Sequence, residues 1–240
     1  MKRLLIDSGN TNIKLAQVKG EHWCESDSIQ TDRAAQLQLV DYADVHEIWV
    51  SNVAGAAVAR HIINACEPLK LTPRFISAQS EQCGVKNNYA VPAQLGCDRW
   101  AALIGAWHRI EAACLVVSSG TATTVDALSD EGEFLGGLIL PGIALMQRSL
   151  ASATAQLPSC EGRYAAFPLN TDDAILSGAI QAACGAIQRQ HALLGVAGAP
   201  VLLGGGGASV LSSHLDLSVQ RVDNLVLQGL LLIAREEGLE

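Results

Sequence analysis

Residues 7 to 14, Asp7-Ser8-Gly9-Asn10-Thr11-Asn12-Ile13-Lys14, bring an acid, a glycine, amide and hydroxyl donors and a cation into one short stretch. Such a set can coordinate a hydrated divalent cation and cradle phosphates through backbone N–H groups. An ordinary Asx-Gly hairpin turn has the same composition. A second turn, Ser119-Gly120-Thr121-Ala122-Thr123-Thr124, has the parts to clamp the same phosphates, or to be only a threonine-rich strand turn. Gly96-Cys97-Asp98-Arg99 opens an apolar helix. There Asp98 is either an N-cap or a general base that takes a hydroxyl proton, with Arg99 gripping an anionic group through a bidentate contact. An arginine at a helix's N-terminal end is poorly placed for the macrodipole, which favours a ligand or a partner carboxylate. Gly204 to Gly207 follow an apolar run, each glycine weakening regular structure by about 0.5–1 kcal/mol relative to alanine. Close approach to a flat ligand would account for them, as would a flexible strand-to-helix turn.

Familiar nucleotide signatures are missing. Gly9 and Lys14 lie too close for GxxxxGK[ST], and Ser209 stands where GxGxxG needs its last glycine. GxSxG and HExxH are also absent. Any nucleotide must be held in another way.

The elements that position these residues occur twice. Leu4 to Gly9 reads as a buried strand entering a turn, with Ile13 to Val18 as its hairpin return, and Leu115 to Gly120 followed by Thr123 to Leu128 repeats that profile 111 residues later. The repeat predicts a boundary near 110–114, giving domains over 1–112 and 113–240. In the first, strands near 47–52 and 74–77 alternate with helices near 32–41, 56–66 and 98–111, the last carrying Trp100, Leu103, Ile104, Trp107 and Ile110 on one face. In the second, strands near 133–140 and 199–203 join helices near 142–153, 172–194, 207–213 and 223–237. Hairpins followed by alternating helices and strands predict two facing α/β domains with a ligand cleft between them.

A chain of 240 residues that is 49% hydrophobic and 17% charged can bury a substantial core. The net charge of −8, with no Lys/Arg run, argues against a nucleic-acid partner. No window holds the 18 or so apolar residues of a membrane span. Only three apolar residues separate Arg3 from Asp7, too few for a signal peptide's core, so a cytoplasmic protein is expected. Seven scattered cysteines (24, 66, 83, 97, 114, 160, 184) without a CxxC, and histidines without an HxxxH, point to free thiols rather than disulfides or zinc.

Taken in order, the motifs resemble those of type III pantothenate kinases, in the acetate kinase/sugar kinase/Hsp70/actin superfamily. They are Asp7-x-Gly-Asn-Thr, Trp49-Val50-Ser51-Asn52-Val53, Tyr89 before Gly96-x-Asp98-Arg99, Gly120-Thr121-Ala122-Thr123-Thr124-x-Asp126, Gly136-Gly137-x-Ile139-x-Pro141-Gly142 and Asn170-Thr171-x-x-Ala174. The resemblance implies two ribonuclease H-like (actin-like ATPase) domains, a homodimer, and ATP-dependent phosphorylation of pantothenate's 4'-hydroxyl, the first step towards coenzyme A. It assigns Asp7, Ser8, Gly9, Asn10, Thr11, Asn12, Ile13, Lys14 and Thr121 to ATP, with Asp7 holding Mg2+ through water. Asp98 becomes the proton acceptor. Tyr89, Gly96, Cys97, Asp98, Arg99 and Thr171 fall to pantothenate. Ser118 stands where the family usually has an aspartate for a monovalent cation such as K+ or NH4+, so weak or absent potassium activation is expected. Two other readings stand beside this one: a nucleotide-binding regulator that has lost catalysis, and a related kinase acting on a sugar or another acid.

Overall fold

A computed structural model describes residues 1–153 and 162–238; the thiol expected at Cys160 lies outside them. The chain divides into two compact units, Met1–Arg109 with Asn224–Glu240, and Ile110–Asp223.

The first unit runs β1 (Lys2–Ser8), β2 (Asn12–Lys19), β3 (His22–Gln30), β4 (Glu47–Asn52), α1 (Ala56–Cys66), β5 (Arg74–Phe75), a short β6–β7 hairpin (Glu81–Gln82 and Val85–Asn87) and α2 (Cys97–Ile110). Its sheet has the order β3-β2-β1-β4-β5, antiparallel among the first three strands and parallel from β1 onward. Alternation along the strands sends Leu4, Ile6, Ile13, Leu15, Ile48 and Val50 to one face, where they pack with Val58, Ile62 and Cys66 of α1. Full burial of such a side chain contributes about 1.5–3 kcal/mol, which fixes the register and thereby what the opposite face presents.

The second unit runs β8 (Cys114–Ser119), β9 (Ala122–Leu128), β10 (Glu133–Pro141), α3 (Ile143–Ala153), α4 (Thr171–Leu194), β11 (Val201–Gly204), α5 (Ala208–Ser212) and β12 (Val219–Arg221). Its strand order β10-β9-β8-β11-β12 repeats that of the first unit, again antiparallel through the hairpins and parallel beyond. Leu115, Val117, Val125, Val201 and Leu203 form its core with Ile180, Ala183 and Ile187 of α4. Asn170 caps α4 by accepting from the Asp173 N–H at 2.9 Å, and Gly195, at φ 71°, ends it.

The last helix, α6 (Leu225–Glu237), corrects the expected 113–240 domain. It packs on β1 and β4, burying Leu227, Leu230, Leu231 and Ile233, and so completes the first unit instead of the second. There α2 and α6 touch backbone to backbone. A Cβ at Gly105 would stand 2.7 Å from the Leu225 carbonyl oxygen, and one at Gly229 would overlap the Ala101 carbonyl. This contact also changes the expected single apolar stripe of α2: Arg99 through Ala106 are all buried, whatever side of the helix they occupy.

Two further differences have simple causes. The segment expected as a helix over 32–41 forms two 3-10 turns, Thr31–Gln36 and Val40–Tyr42. Strand β3 carries no apolar alternation because it is an edge strand, exposed along nearly its whole length.

Candidate active site

Directly paired residues in a sheet share a face, so the register places Ser28, Lys14, Asp7 and Ser51 in one polar row across β3, β2, β1 and β4. This row lies on the face opposite the α1 core. Burial and the neighbouring Asp98 push the Asp7 carboxyl up to about 7, against a partial counter-effect of the Lys14 ammonium. Ser51, fully buried, donates to Cys97 Sγ at 3.5 Å, and Cys97 reaches the Asn52 carbonyl at 3.5 Å. The end of β4 is thereby tied to the start of α2.

The turn between β1 and β2 is closed by Gly9 N–H to the Asn12 carbonyl at 3.0 Å, leaving Asn10 and Thr11 exposed at its tip. Thr31 pins it from the far end of β3: its hydroxyl donates to the Gly9 carbonyl at 2.7 Å and its N–H to the Thr11 carbonyl at 2.9 Å. The Ser8 and Ile13 side chains are fully buried, so any contact these two make with a ligand at the turn runs through their backbone.

At the start of α2, Asp98 lies in the first helical turn and one carboxylate oxygen accepts the Arg99 N–H at 2.8 Å. Asp98 is therefore not the N-cap: the helix begins at Cys97, and the Gly96 carbonyl accepts its first bond, from the Trp100 N–H at 2.9 Å. Burial raises its pKa, and the Arg99 N–H and guanidinium pull the other way. Gly96 makes room for this carboxylate, since a Cβ there would stand 2.7 Å from Asp98 Oδ1. The buried Arg99 donates from Nη1 to the Tyr89 hydroxyl at 3.3 Å, with the Tyr89 ring 6.0 Å from the guanidinium carbon. Tyr89 is presented by a buried asparagine that sequence reasoning did not single out. Asn87 accepts the Tyr89 N–H at 3.1 Å and donates to the Gln79 and Pro92 carbonyls at 3.1 and 3.2 Å.

The other proposed site residues belong to the second unit. Its β8–β9 turn is tighter, closed by Gly120 N–H to the Ala122 carbonyl at 2.9 Å with Thr121 alone at the tip, and Gly142 N–H bonds the Thr121 carbonyl at 2.9 Å. Exposed Ser118 pairs with Thr124 and Gly204, while buried Asp126 lies one step along the same face, opposite Val116. Thr171 begins α4 and lines a groove of about 760 Å³ with Met146, Leu150, Pro168 and Leu169. The glycine run has an internal cause that overturns the flat-ligand reading for most of it. A Cβ at Gly205, which has φ 91°, would overlap the Ser119 carbonyl, one at Gly207 would overlap the Ser119 hydroxyl, and one at Gly204 would stand 2.9 Å from the Val222 carbonyl. Only Gly206 faces open space.

Among the described residues no group of three or more His, Cys, Asp or Glu side chains could hold a metal. A buried Asp7 whose charge the neighbouring Asp98 disfavours fits a different demand. Mg2+ keeps most of its waters and takes one or two carboxylates together with substrate phosphates. Nor is any helix among the described residues long and apolar enough to cross a membrane.

The repeated 3-2-1-4-5 order, with an acid on the first strand of the first unit beside a hairpin turn, defines an α/β protein with the fold of actin-like ATPases and sugar kinases. Solved structures agree on the fold. A conserved Campylobacter jejuni protein described as a Baf family transcriptional activator matches with TM-score 0.63 at 23% identity over 98% of each chain. Component A of (R)-2-hydroxyglutaryl-CoA dehydratase from Acidaminococcus fermentans matches with TM-score 0.54 at 13% identity, over 98% of this chain and 96% of its own. Sequence is more specific. The type III pantothenate kinase family model matches residues 3–192. Type III pantothenate kinases of Aromatoleum aromaticum and Nitrosospira multiformis are 49% and 46% identical, covering 98% and 97% of this chain and 98% and 91% of their own lengths. The chain belongs to the type III pantothenate kinase family.

Proposed function

We propose that this chain transfers the γ-phosphoryl group of ATP to the 4'-hydroxyl of pantothenate, the entry step to coenzyme A. The observation that carries this reading is the pairing of Asp7 and Asp98 beside the Gly9–Asn12 turn, within a chain whose sequence relatives bear this kinase's name. The alcohol oxygen bonds to the γ-phosphorus as the bond to the β–γ bridging oxygen breaks, and ADP leaves. Asp98 accepts the alcohol proton. Its raised pKa makes it a better acceptor than an ordinary carboxylate, and its position directs the oxygen at phosphorus. Backbone N–H groups of the turn and the Lys14 ammonium neutralise charge on the phosphates. Asp7 would hold Mg2+ through water, and the ion would supply charge neutralisation across the phosphates. Arg99, steadied by Tyr89, takes the pantothenate carboxylate. Six described cysteines, all free thiols, accord with a cytoplasmic setting.

The test is ADP release with purified protein. Release should depend on added pantothenate and should not appear with a panel of sugars or other hydroxy acids. Pantothenate-independent turnover, or turnover with a sugar, would sink the substrate reading.

Two finer expectations follow. Ser118 offers a neutral, exposed hydroxyl where the family's cation carboxylate stands, so adding potassium to a potassium-free assay should leave the rate nearly flat. Ser118→Asp should create potassium dependence, and a steep potassium response of the unaltered protein would show that Asp126 or another group has taken over. The second concerns assembly. Leu169 and Phe167 are 97% and 89% exposed beside the α3–α4 groove, and Gly178 on α4 faces open space. A homodimer burying this apolar face is expected, and sedimentation equilibrium at micromolar concentration should return twice the chain mass.

A further inference from the structure

Asn224 begins α6 in a conformation that costs stability, and although its carbonyl accepts the Gln228 N–H at 3.0 Å its side chain gives the helix nothing. Its backbone is left-handed, at φ 59° and ψ 30°, a region that asparagine tolerates but does not prefer. It occupies the N-cap position, where an asparagine side chain usually accepts one of the helix's unsatisfied N–H groups, yet it makes no such bond. Its side-chain oxygen instead accepts from Lys14 Nζ at 3.3 Å, across 210 residues of sequence. The Lys14 stem lies in a small hollow lined by Ser26, Asp27 and Ser28 of β3 together with Asn224 and Leu227 of α6.

We propose that Asn224 is a positioning residue for the kinase reaction: its side-chain oxygen holds the Lys14 ammonium at the β1–β2 turn, ready for a polyphosphate. This rests on the assignment of Lys14 to ATP made above. A neutral acceptor suits the task. It orients the ammonium through one hydrogen bond and leaves its charge unspent for the incoming phosphates, whereas a carboxylate in the same place would compete with them. Forgoing the cap and holding the left-handed backbone are then accounted for by the reaction and not by the fold.

Asn224→Gly separates the two explanations, because glycine adopts positive φ more readily and so keeps or improves the backbone while removing the oxygen. The expected result is an unchanged or higher Tm with the KM for ATP raised about threefold to tenfold, the range set by the net worth of one typical hydrogen bond. The KM for pantothenate should move by less than twofold. Asn224→Asp, which restores an oxygen but adds a charge that competes with the phosphates for Lys14, should leave the KM for ATP raised at least as far as Asn224→Gly does, most clearly at low ionic strength. In a Lys14→Ala background, Asn224→Gly should cost nothing further. An Asn224→Gly enzyme with wild-type ATP kinetics overturns the proposal, as does an additional loss in the Lys14→Ala background. If Lys14→Ala itself leaves the KM for ATP unchanged, the assignment of Lys14 has failed and this proposal falls with it. If Lys14→Ala raises the KM and Asn224→Gly does not, the positioning role alone is wrong.

Discussion

Asp98→Asn should lower kcat by roughly a thousandfold, the middle of the range for loss of a general base, while the affinity for ATP stays within a few fold of wild type. The substitution changes little except charge and basicity. Asparagine has nearly the same shape, and its oxygen can still accept the Arg99 N–H that Asp98 Oδ1 accepts at 2.8 Å, so the start of α2 should survive. Neither the Gly9–Asn12 turn nor Lys14 contacts the altered atom in the hydrogen-bond network. Removing the negative charge beside Asp7 also removes the electrostatic cost that helps push that carboxyl up to about 7, so cation binding should not suffer. Rapid-quench single turnover and fluorescent-nucleotide titration separate the two quantities. A variant that turns over at the wild-type rate would remove Asp98 from the chemistry and leave it only its bond to the Arg99 N–H at the start of α2.

The second large effect is on stability. Gly229→Ala puts a Cβ into the Ala101 carbonyl where α6 crosses α2, and backbone cannot rotate out of the way as a side chain can. Overpacking of this kind costs about 1–3 kcal/mol and sometimes more. For a chain of this length each kcal/mol is worth roughly 2–4 °C in Tm, so a fall of about 5–10 °C is expected in a calorimetric scan. Activity should fall as well, since α2 carries Asp98 and Arg99 in its first turn, and a small displacement there misaligns the proton acceptor. A control at Gly185, whose Cβ position meets nothing within 4 Å, should leave Tm almost unchanged as Gly185→Ala. Equal Tm values for the two variants would refute the close helix contact.

The sequence made some of this legible and hid the rest for physical reasons. The two hairpins announced themselves because buried strands must alternate or run apolar, and Leu4–Ile6 and Leu115–Val117 do so on schedule. The acid, turn and helix start of the candidate site were visible as residue types at telling intervals. Partners across the fold were not. Thr31, Ser51 and Asn224 each act on a group that local pattern cannot connect to them, and only the register or a returning helix brings them near. Strand β3 escaped because an exposed edge needs no apolar code. The glycine run at 204–207 was misread for the opposite reason. Its composition states that something approaches closely, but not that the approaching atoms are largely those of Ser119. Likewise the apolar face of α6 states that the helix is covered, without saying which sheet covers it.

That returning helix gives the protein a timetable during synthesis. Leu5, Ala16 and Trp49 lie on the sheet face that α6 helps to cover, yet 114 residues of the second unit must emerge before the helix does. At roughly 5–20 residues per second the nascent first unit waits some 6 to 23 seconds on the ribosome with part of that apolar face uncovered. The window closes only when α6 leaves the exit tunnel, so a message stalled or terminated before that helix would release a sticky half-built sheet and not a stable fragment.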